Sequence, residues 1–326
     1  MTSVVGMPRA LAYHDYFPFW EAFFDGFGVR LTASPPTNKA LVHEGVRRAV
    51  DGTCFPVKIL LGHVHWLIEN GYTTIFLPRF VSVAPKEYIC PKFMGLPDMV
   101  QATFGTKAKF LVPTIDLNLP KKCFYEQIQT LGSEFGCSPK QTKLAFRQGL
   151  EALRDYRDAL LKGRWPANSN SQNADNNQPT LEVEGKKSLK VGLLGHSYLI
   201  YDDFANMHIV NKLQNMEVEV MTVDMLPDER IDAQSLAWPK RMFWTSGRRI
   251  LGAAREYVEM RIPGIIYVTA FACGTDSLTA ELVERTLRRE SPIPQLILNL
   301  DEHTGEAGIV TRLEAFVDML RWRINR

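Results

Sequence analysis

The sequence predicts an α/β protein with two Rossmann-like lobes, each built on a parallel sheet. Short apolar runs alternate with helical patterns along both halves of the 326-residue chain, and this alternation is typical of parallel βαβ units. A polar stretch at residues 168–179 has no aromatic or β-branched residue, so it cannot bury enough apolar area to offset its ordering entropy. We therefore expect an N-terminal lobe at 1–163, a flexible linker at 164–187 and a C-terminal lobe at 188–326.

The first half contains four short apolar runs that predict strands, separated by segments with helical spacing. The predicted strands are Ser3–Gly6, Val29–Ala33, Thr74–Leu77 and Lys109–Val112. The predicted helices lie near 16–27, 38–50, 55–70, 96–104, 121–135 and 139–162. Ser138 and Pro139 suit the N-cap and first position of the last helix.

The second half repeats this alternation. Its predicted strands are Lys190–Leu194, Glu217–Thr222, Gly264–Thr269 and Gln295–Asn299. Its predicted helices lie near 203–214, 240–260, 276–290 and 306–323, and Asp276 or Ser277 is the expected cap of the third. Because ligands of open parallel sheets bind beyond the carboxyl ends of the strands, functional residues are expected in the loops that follow the strands.

The composition is that of a globular chain, with 45% hydrophobic and 23% charged residues. A net charge of +2 gives no polybasic signal for a nucleic acid or a membrane surface. No segment approaches the ~18 apolar residues of a membrane span, and the N-terminus lacks the features of a signal peptide. A cytoplasmic location is therefore expected, where five cysteines, an odd number, suggest thiols or metal ligands rather than disulfides.

Three cysteines follow predicted strands or precede predicted helices. Cys273 stands between the strand 264–269 and the next helix, where free N–H groups favour a thiolate. Cys54 lies in a turn before the helix 55–70, and Cys90 lies in a long loop before Pro91. Cys123 falls inside a predicted helix and Cys137 at a helix–helix turn, so both are expected to be structural.

The residues alone leave several functions open for these cysteines. A lone cysteine usually behaves as a small hydrophobe, and the chain has no CxxC spacing. A catalytic thiol with His63, His65 or His196 as base is one alternative. A zinc ion bound by three cysteines and one further ligand is another.

Two further loops follow predicted strands of the second half. His196 follows the strand 190–194 and is expected to face the cleft between the lobes. The alternative is an ordinary turn in which the histidine has its hydrogen bonds satisfied. Glu302 and Glu306 lie in the acidic loop after the strand 295–299, where they would orient a cofactor or partner, or else cap a helix. His196, Glu302 and Glu306 are therefore the candidate catalytic residues.

Short distinctive motifs occur throughout residues 4–322. They are Met7-Pro-Arg-Ala, Tyr16-Phe-Pro-Phe-Trp, Ser34-Pro-Pro-Thr-Asn, Cys54-Phe-Pro-Val-Lys, Leu77-Pro-Arg, Tyr88-Ile-Cys-Pro-Lys-Phe-Met-Gly-Leu-Pro-Asp, Gly195-His-Ser-Tyr, Phe271-Ala-Cys-Gly-Thr-Asp-Ser and Asp301-Glu-His-Thr-Gly-Glu. Together these motifs resemble those of one family, the uncharacterised domain associated with CoA-substrate-specific enzyme activases, which is related to the subunits of 2-hydroxyacyl-CoA dehydratases.

The resemblance implies an iron–sulfur protein. It makes Cys54, Cys90 and Cys273 the ligands of a [4Fe–4S] cluster with one open iron, placed in the cleft between the two lobes. It implies low-potential electron transfer or reductive activation, as in a reductase or dehydratase component, and an ATP-dependent activator protein as partner. A non-catalytic partner or assembly module, holding zinc or no metal, is the alternative.

The chain departs from the wider group in its length and its ligands. Three thiolates are too few for a double-cubane cluster, unless a homodimer contributes ligands from two chains. The sequence has neither a Walker A motif nor a recognisable actin-like phosphate loop, so we expect that it is not itself the ATPase.

Overall fold

Every strand pairing in the part of the chain that the structure describes is parallel. The structure is a computed structural model that describes residues 4–166, 189–238, 240–291 and 293–326. The chain divides into two units, the first formed by residues up to Arg157 together with Phe243–Thr245, and the second by the remaining residues. The predicted α/β class, with two Rossmann-like lobes and parallel sheets, is confirmed.

The elements up to residue 161 follow the predicted alternation of strands and helices. The strands are β1 (Val4–Met7), β2 (Arg30–Ala33), β3 (Thr74–Phe76), β4 (Arg79–Ser82), β5 (Lys109–Leu111) and β6 (Thr114–Asp116). The helices are α1 (Tyr13–Asp25), α2 (Lys39–Arg48), α3 (Phe55–Glu69), α4 (Pro91–Met94), α5 (Leu96–Phe104), α6 (Lys121–Ser133) and α7 (Pro139–Leu161).

The elements from residue 189 onward form the second sheet and its helices. The strands are β7 (Leu189–Leu194), β8 (Val218–Thr222), β9 (Gly264–Ala270) and β10 (Gln295–Leu300). The helices are α8 (Ser197–Ile200), α9 (Ile209–Asn215), α10 (Asp228–Leu236), α11 (Thr245–Glu259), α12 (Gly274–Glu290) and α13 (Glu306–Ile324). A short 3₁₀ turn, Val223–Met225, follows β8.

The two four-stranded sheets have the same topology. Their strand orders are β2-β1-β3-β5 and β10-β9-β7-β8. Counted in chain order within each sheet, both are 2-1-3-4, which is the beginning of the flavodoxin-like doubly wound order. The topological switch point, where successive connections leave in opposite directions, therefore lies between β1 and β3 in the first sheet and between β7 and β9 in the second.

The first unit packs an aromatic helix face against its sheet. Phe23, Phe24 and Trp20 of α1 are almost completely buried, together with Phe76 of β3. In the second unit the central strand β9 is buried over its whole length, as expected for a parallel strand covered on both faces.

The structure differs from the predicted elements in several places, among them the unpredicted helix α8 and the start of α11 at Thr245. The loop after β3 contains the additional strand β4 and the short helix α4, and β4 pairs with β6 in a separate two-stranded sheet. The predicted helix at 203–214 begins only at Ile209, and α10 was not predicted. The predicted lobe boundaries stay predictions, because residues 167–187 of the predicted linker lie outside the described residues.

Candidate functional site

The three predicted cysteine ligands share one local setting. Cys54, Cys90 and Cys273 are the N-cap residues of α3, α4 and α12, each with extended backbone, and the Cys273 sulfur lies 3.5 Å from the Thr275 hydroxyl. By contrast, Cys123 lies within α6 and Cys137 in the turn that follows it. A helix N-terminus presents free N–H groups that favour a thiolate, so local geometry separates the same three cysteines from the other two.

In the first unit, Cys54 is positioned by an unusually close pair of helices. A Cβ added to Gly45 of α2 would lie 1.8 Å from the carbonyl oxygen of Lys58 in α3, and one added to Gly62 would lie 2.0 Å from that of Leu41. Because only residues 70–73 separate α3 from β3, the N-terminus of α3 lies toward the carboxyl ends of the strands. The crossing of two glycine faces thus fixes the helix that Cys54 caps.

Two sets of contacts hold the segment that contains Cys90. Backbone hydrogen bonds of Tyr88 lie before the cysteine, and the ion pair between Arg79 and Asp98 lies after helix α4. The Tyr88 N–H donates to the Phe243 carbonyl (3.0 Å), and the Thr245 N–H donates to the Tyr88 carbonyl (3.1 Å). Arg79 donates to the Met94 carbonyl at the end of α4 (2.7 Å) and to both carboxylate oxygens of Asp98 (2.6 and 2.7 Å). Arg79 therefore has a structural role here, because it ties β4 to the end of α4 and to α5.

The charges around Cys54 and Cys90 show that the two sulfurs influence each other. Burial raises the pKa of the Cys54 thiol, and the nearby Lys92 ammonium partly opposes this. Burial also raises the pKa of Cys90, where the Phe93 N–H opposes the shift and charge on Cys54 adds to it. The Lys92 ammonium donates to the Gly52 carbonyl (3.1 Å), which joins the two cysteine loops. Burial therefore favours the neutral thiol at both positions, and positive charge near the sulfurs opposes it.

In the second unit, Cys273 lies at the switch point of the sheet beside His196. His196 follows β7 and Cys273 follows β9 in neighbouring strands. The preceding residues, Gly195 and Ala272, have φ values of 154° and 62°, and a Cβ on Gly195 would lie 2.8 Å from the Val268 carbonyl oxygen. Positive φ is unfavourable for alanine and clusters at functional sites, so constrained backbone precedes both His196 and Cys273.

A third donor, Asp276, completes this group. The ligand atoms of His196, Cys273 and Asp276 all lie within 4.8 Å of one another, with 3.6 Å between His196 Nε2 and Asp276 Oδ1. The Tyr267 hydroxyl donates to Asp276 Oδ1 (2.5 Å), and the His196 ring stacks on Tyr198 at 4.7 Å. Burial raises the pKa of Asp276, which His196 partly opposes.

Asp276 was expected only as a helix cap, and that expectation is wrong. The cap is Cys273, and Asp276 lies in the first turn of α12, where its carboxylate accepts from Tyr267 of β9. The spacing Cys273-Gly-Thr-Asp276 is the signal that sequence reasoning passed over, since residues three apart lie on the same side of a helix.

The two glutamates predicted as catalytic lie near the start of α13. Glu306 is exposed and forms an ion pair with Lys212 (2.6 Å). Glu302 lies 4.0 Å from its neighbour His303. The structure brings neither of them into the His196–Cys273–Asp276 group, and their catalytic role stays a prediction.

The other histidines considered as bases are occupied elsewhere. His63 is fully buried, with Nδ1 2.8 Å from the Ser34 hydroxyl and Nε2 3.0 Å from the Thr37 hydroxyl. Its pKa is lowered to about 3, mainly by burial and further by His14 and Arg9. His65 lies against Arg48 and Glu44.

Comparison with known families agrees with the sequence motifs. The sequence profile of the CoA enzyme activase uncharacterised domain matches residues 4–226, more than half of the chain. The chain belongs to this family. The match to the CoA enzyme activase uncharacterised domain includes Cys54, Cys90 and His196 and ends before Cys273 and Asp276.

Two further findings complete the comparisons. No curated protein matches the chain. Among the described residues, no helix combines the length and the apolar character needed to cross a membrane.

Proposed function

We propose that the protein is an iron–sulfur protein related to 2-hydroxyacyl-CoA dehydratase components, in which Cys54, Cys90 and Cys273 ligate a [4Fe–4S] cluster with one open iron. The observation that carries this proposal is the shared setting of the three cysteines, each of which is the N-cap residue of a helix with extended backbone. Cys123 and Cys137 have no such setting.

The chemistry of the donors suits the group. Thiolates are soft ligands that iron–sulfur clusters use, and three of them leave one iron for another ligand. The raised pKa of the buried Cys54 and Cys90 thiols means that a positively charged group must favour their ionisation. Pro56 and Pro91, in the first turns of α3 and α4, fix the backbone beside these two sulfurs.

Such a cluster supplies one-electron transfer and an open iron that binds a substrate or water. The protein residues hold the sulfurs: the α2–α3 crossing fixes Cys54, the Tyr88 pairing fixes Cys90 and the β9–α12 turn fixes Cys273. His196 and Asp276 add a nitrogen and an oxygen donor beside Cys273. These roles fit low-potential electron transfer or reductive activation, with an ATP-dependent activator as the proposed partner because the family description names CoA enzyme activases.

Anaerobic purification followed by iron and sulfide analysis tests the proposal. The parent chain is expected to contain iron and sulfide in equal amounts with visible charge-transfer absorbance. Each of Cys54→Ala, Cys90→Ala and Cys273→Ala is expected to lose them. The double variant Cys123→Ala/Cys137→Ala is the matched control and is expected to keep them. If the three single variants keep the parent's iron and sulfide, the proposed ligand set is wrong.

A non-catalytic assembly module that holds zinc is the second candidate function. It is favoured by the nitrogen, sulfur and oxygen donors of the His196–Cys273–Asp276 group, a set that zinc accepts. Stoichiometric zinc without sulfide in the anaerobic parent protein would support this candidate and contradict the cluster.

A further inference from the structure

The second unit contains a compact group of three different metal-binding side chains. His196 follows β7, while Cys273 caps α12 and Asp276 lies in the first turn of that helix. Asp276 and Cys273 are 1% and 8% exposed, and the His196 side chain is 11% exposed. The carboxyl ends of neighbouring parallel strands at a switch point are where such sheets bind ligands, so the position is independent support for a binding site.

The distances suit a single tetrahedral ion. Bonds of about 2.0–2.2 Å from zinc to nitrogen and oxygen separate two tetrahedral ligands by roughly 3.4 Å. His196 Nε2 and Asp276 Oδ1 are 3.6 Å apart, too far for a hydrogen bond and close to that separation. The sulfur of Cys273 lies within 4.8 Å of both, so the three ligand atoms are close enough to share one ion.

One buried oxygen of this group lacks a partner among the described residues. Asp276 Oδ1 accepts from Tyr267, but Oδ2 is buried and has no hydrogen bond. A buried carboxylate oxygen without a donor or cation is unfavourable. A metal ion bound by the Asp276 carboxylate would offset this cost, and the Tyr267 hydroxyl would orient that carboxylate as an outer-shell donor.

We infer that His196, Cys273 and Asp276 bind one zinc ion, with a fourth position open to water or a small ligand. Binding converts the Cys273 thiol to a thiolate, and its proton passes to solvent. The site rests on the second candidate function, whose zinc ligands it names, and shares only Cys273 with the proposed cluster. One sulfur serves either the cluster or the zinc ion, so the zinc-bound chain is the form that carries no cluster.

Cobalt(II) is a spectroscopic probe that tests this site in a full-length chain with Cys273 as its only cysteine. In a variant with Cys54, Cys90, Cys123 and Cys137 replaced by alanine, cobalt is expected to bind at one ion per chain with a thiolate charge-transfer band. Adding His196→Gln or Asp276→Asn is expected to weaken cobalt binding at least ten-fold. His43→Gln, which alters an exposed histidine of α2, is the control and is expected to leave it unchanged.

Two results would overturn the inference. One is a folded four-alanine variant without the thiolate band, and the other is a band whose affinity survives both His196→Gln and Asp276→Asn. If the four-alanine variant does not fold, the parent chain stripped of metal replaces it. Zinc should then raise the melting temperature of the parent and the His43→Gln chain, but not that of His196→Gln, and equal rises in all three would contradict the site.

Single variants of the otherwise unaltered chain distinguish the absence of the zinc site from the absence of the cluster. His196→Gln and Asp276→Asn in the otherwise unaltered chain are expected to keep the iron and sulfide of the parent, because neither residue is a proposed cluster ligand. Cys54→Ala is expected to lose iron and sulfide while it still binds cobalt through Cys273.

Discussion

The two units share one strand order but use their switch points differently. In the first unit, Met7 at the end of β1 and Pro8 after it line one cavity with Leu77 and Pro78 after β3, and this cavity has only about 20 Å³, room for about one water molecule. In the second unit, the same positions of the sheet carry His196 and Cys273. The same topology therefore serves as packed core in one unit and as a candidate ligand site in the other.

In the first unit, Cys54 and Cys90 instead stand at helix N-termini that do not directly follow β1 or β3. Cys54 depends on the α2–α3 crossing and Cys90 on the short helix α4. Its buried histidines, His14 and His63, are neutral residues of the interior. The comparison shows that the position of a loop in the sheet order does not by itself determine its function. The side chains in the loop decide whether a switch point is packed with apolar residues or carries polar ones.

The largest expected effect comes from the glycine crossing that positions Cys54. Gly45→Ala would place a methyl group 1.8 Å from the Lys58 carbonyl oxygen, so the helices must separate. We expect a loss of about 3 kcal/mol or more in the free energy of unfolding, measured by urea denaturation. Gly308→Ala, where an added Cβ meets nothing within 4 Å, is the control. A change below about 1 kcal/mol in Gly45→Ala would show that the crossing does not constrain α3.

The buried histidines predict a pH dependence confined to the first unit. Burial, with help from Arg9, lowers the pKa of His14 to about 3, and that of His63 is also about 3. Between pH 6.5 and 3 the unfolded chain therefore binds more protons than the folded chain, so stability falls as pH falls. Each histidine is expected to cost about 1.4 kcal/mol per pH unit below 6.5.

Urea denaturation of the metal-free chain from pH 7 to 4.5 measures this slope. His63→Gln is expected to remove up to about 2.7 kcal/mol of the loss across two pH units, while the exposed His43→Gln control should follow the parent. Parallel curves for the parent and His63→Gln would contradict a neutral, buried His63.

A smaller effect is expected at the hydroxyl that orients Asp276 in the second unit. Tyr267→Phe removes a donor from a buried carboxylate and is expected to cost about 2 kcal/mol, since hydrogen bonds to charged groups contribute about 1.5–3 kcal/mol. Tyr257→Phe removes a donor from the neutral Met221 carbonyl and should cost about 1 kcal/mol. Equal losses in the two variants would indicate that Asp276 carries no charge in the folded protein.

Most of the sheet positions were predictable because parallel strands buried on both faces appear as uninterrupted apolar runs, as in β7 and β9. The small β4–β6 sheet was missed for a physical reason. Pro78 and Pro113 separate β3 from β4 and β5 from β6, and proline normally marks the end of a strand. The chain resumes pairing after each proline, which composition does not reveal.

Sequence patterns also could not predict where α9 begins or what Asp276 contacts. Asn206 donates to the Leu199 and Ile200 carbonyls and accepts from the Ile209 N–H, so its side chain competes with helix formation before Ile209. Asp276 gains its partner from Tyr267, which lies on a different element. The three cysteines could be selected from the sequence because each stands at an element boundary, whereas contacts between elements require the fold.

Native mass spectrometry of the anaerobically purified chain tests the central claim most directly, because the mass bound beyond the polypeptide distinguishes a cluster from a single ion. We predict that the parent carries the mass of four irons and four sulfides, and that Cys54→Ala, Cys90→Ala and Cys273→Ala each lose it. A parent chain that carries only one zinc ion or no added mass, or variants that all retain the cluster mass, would contradict ligation by these three cysteines.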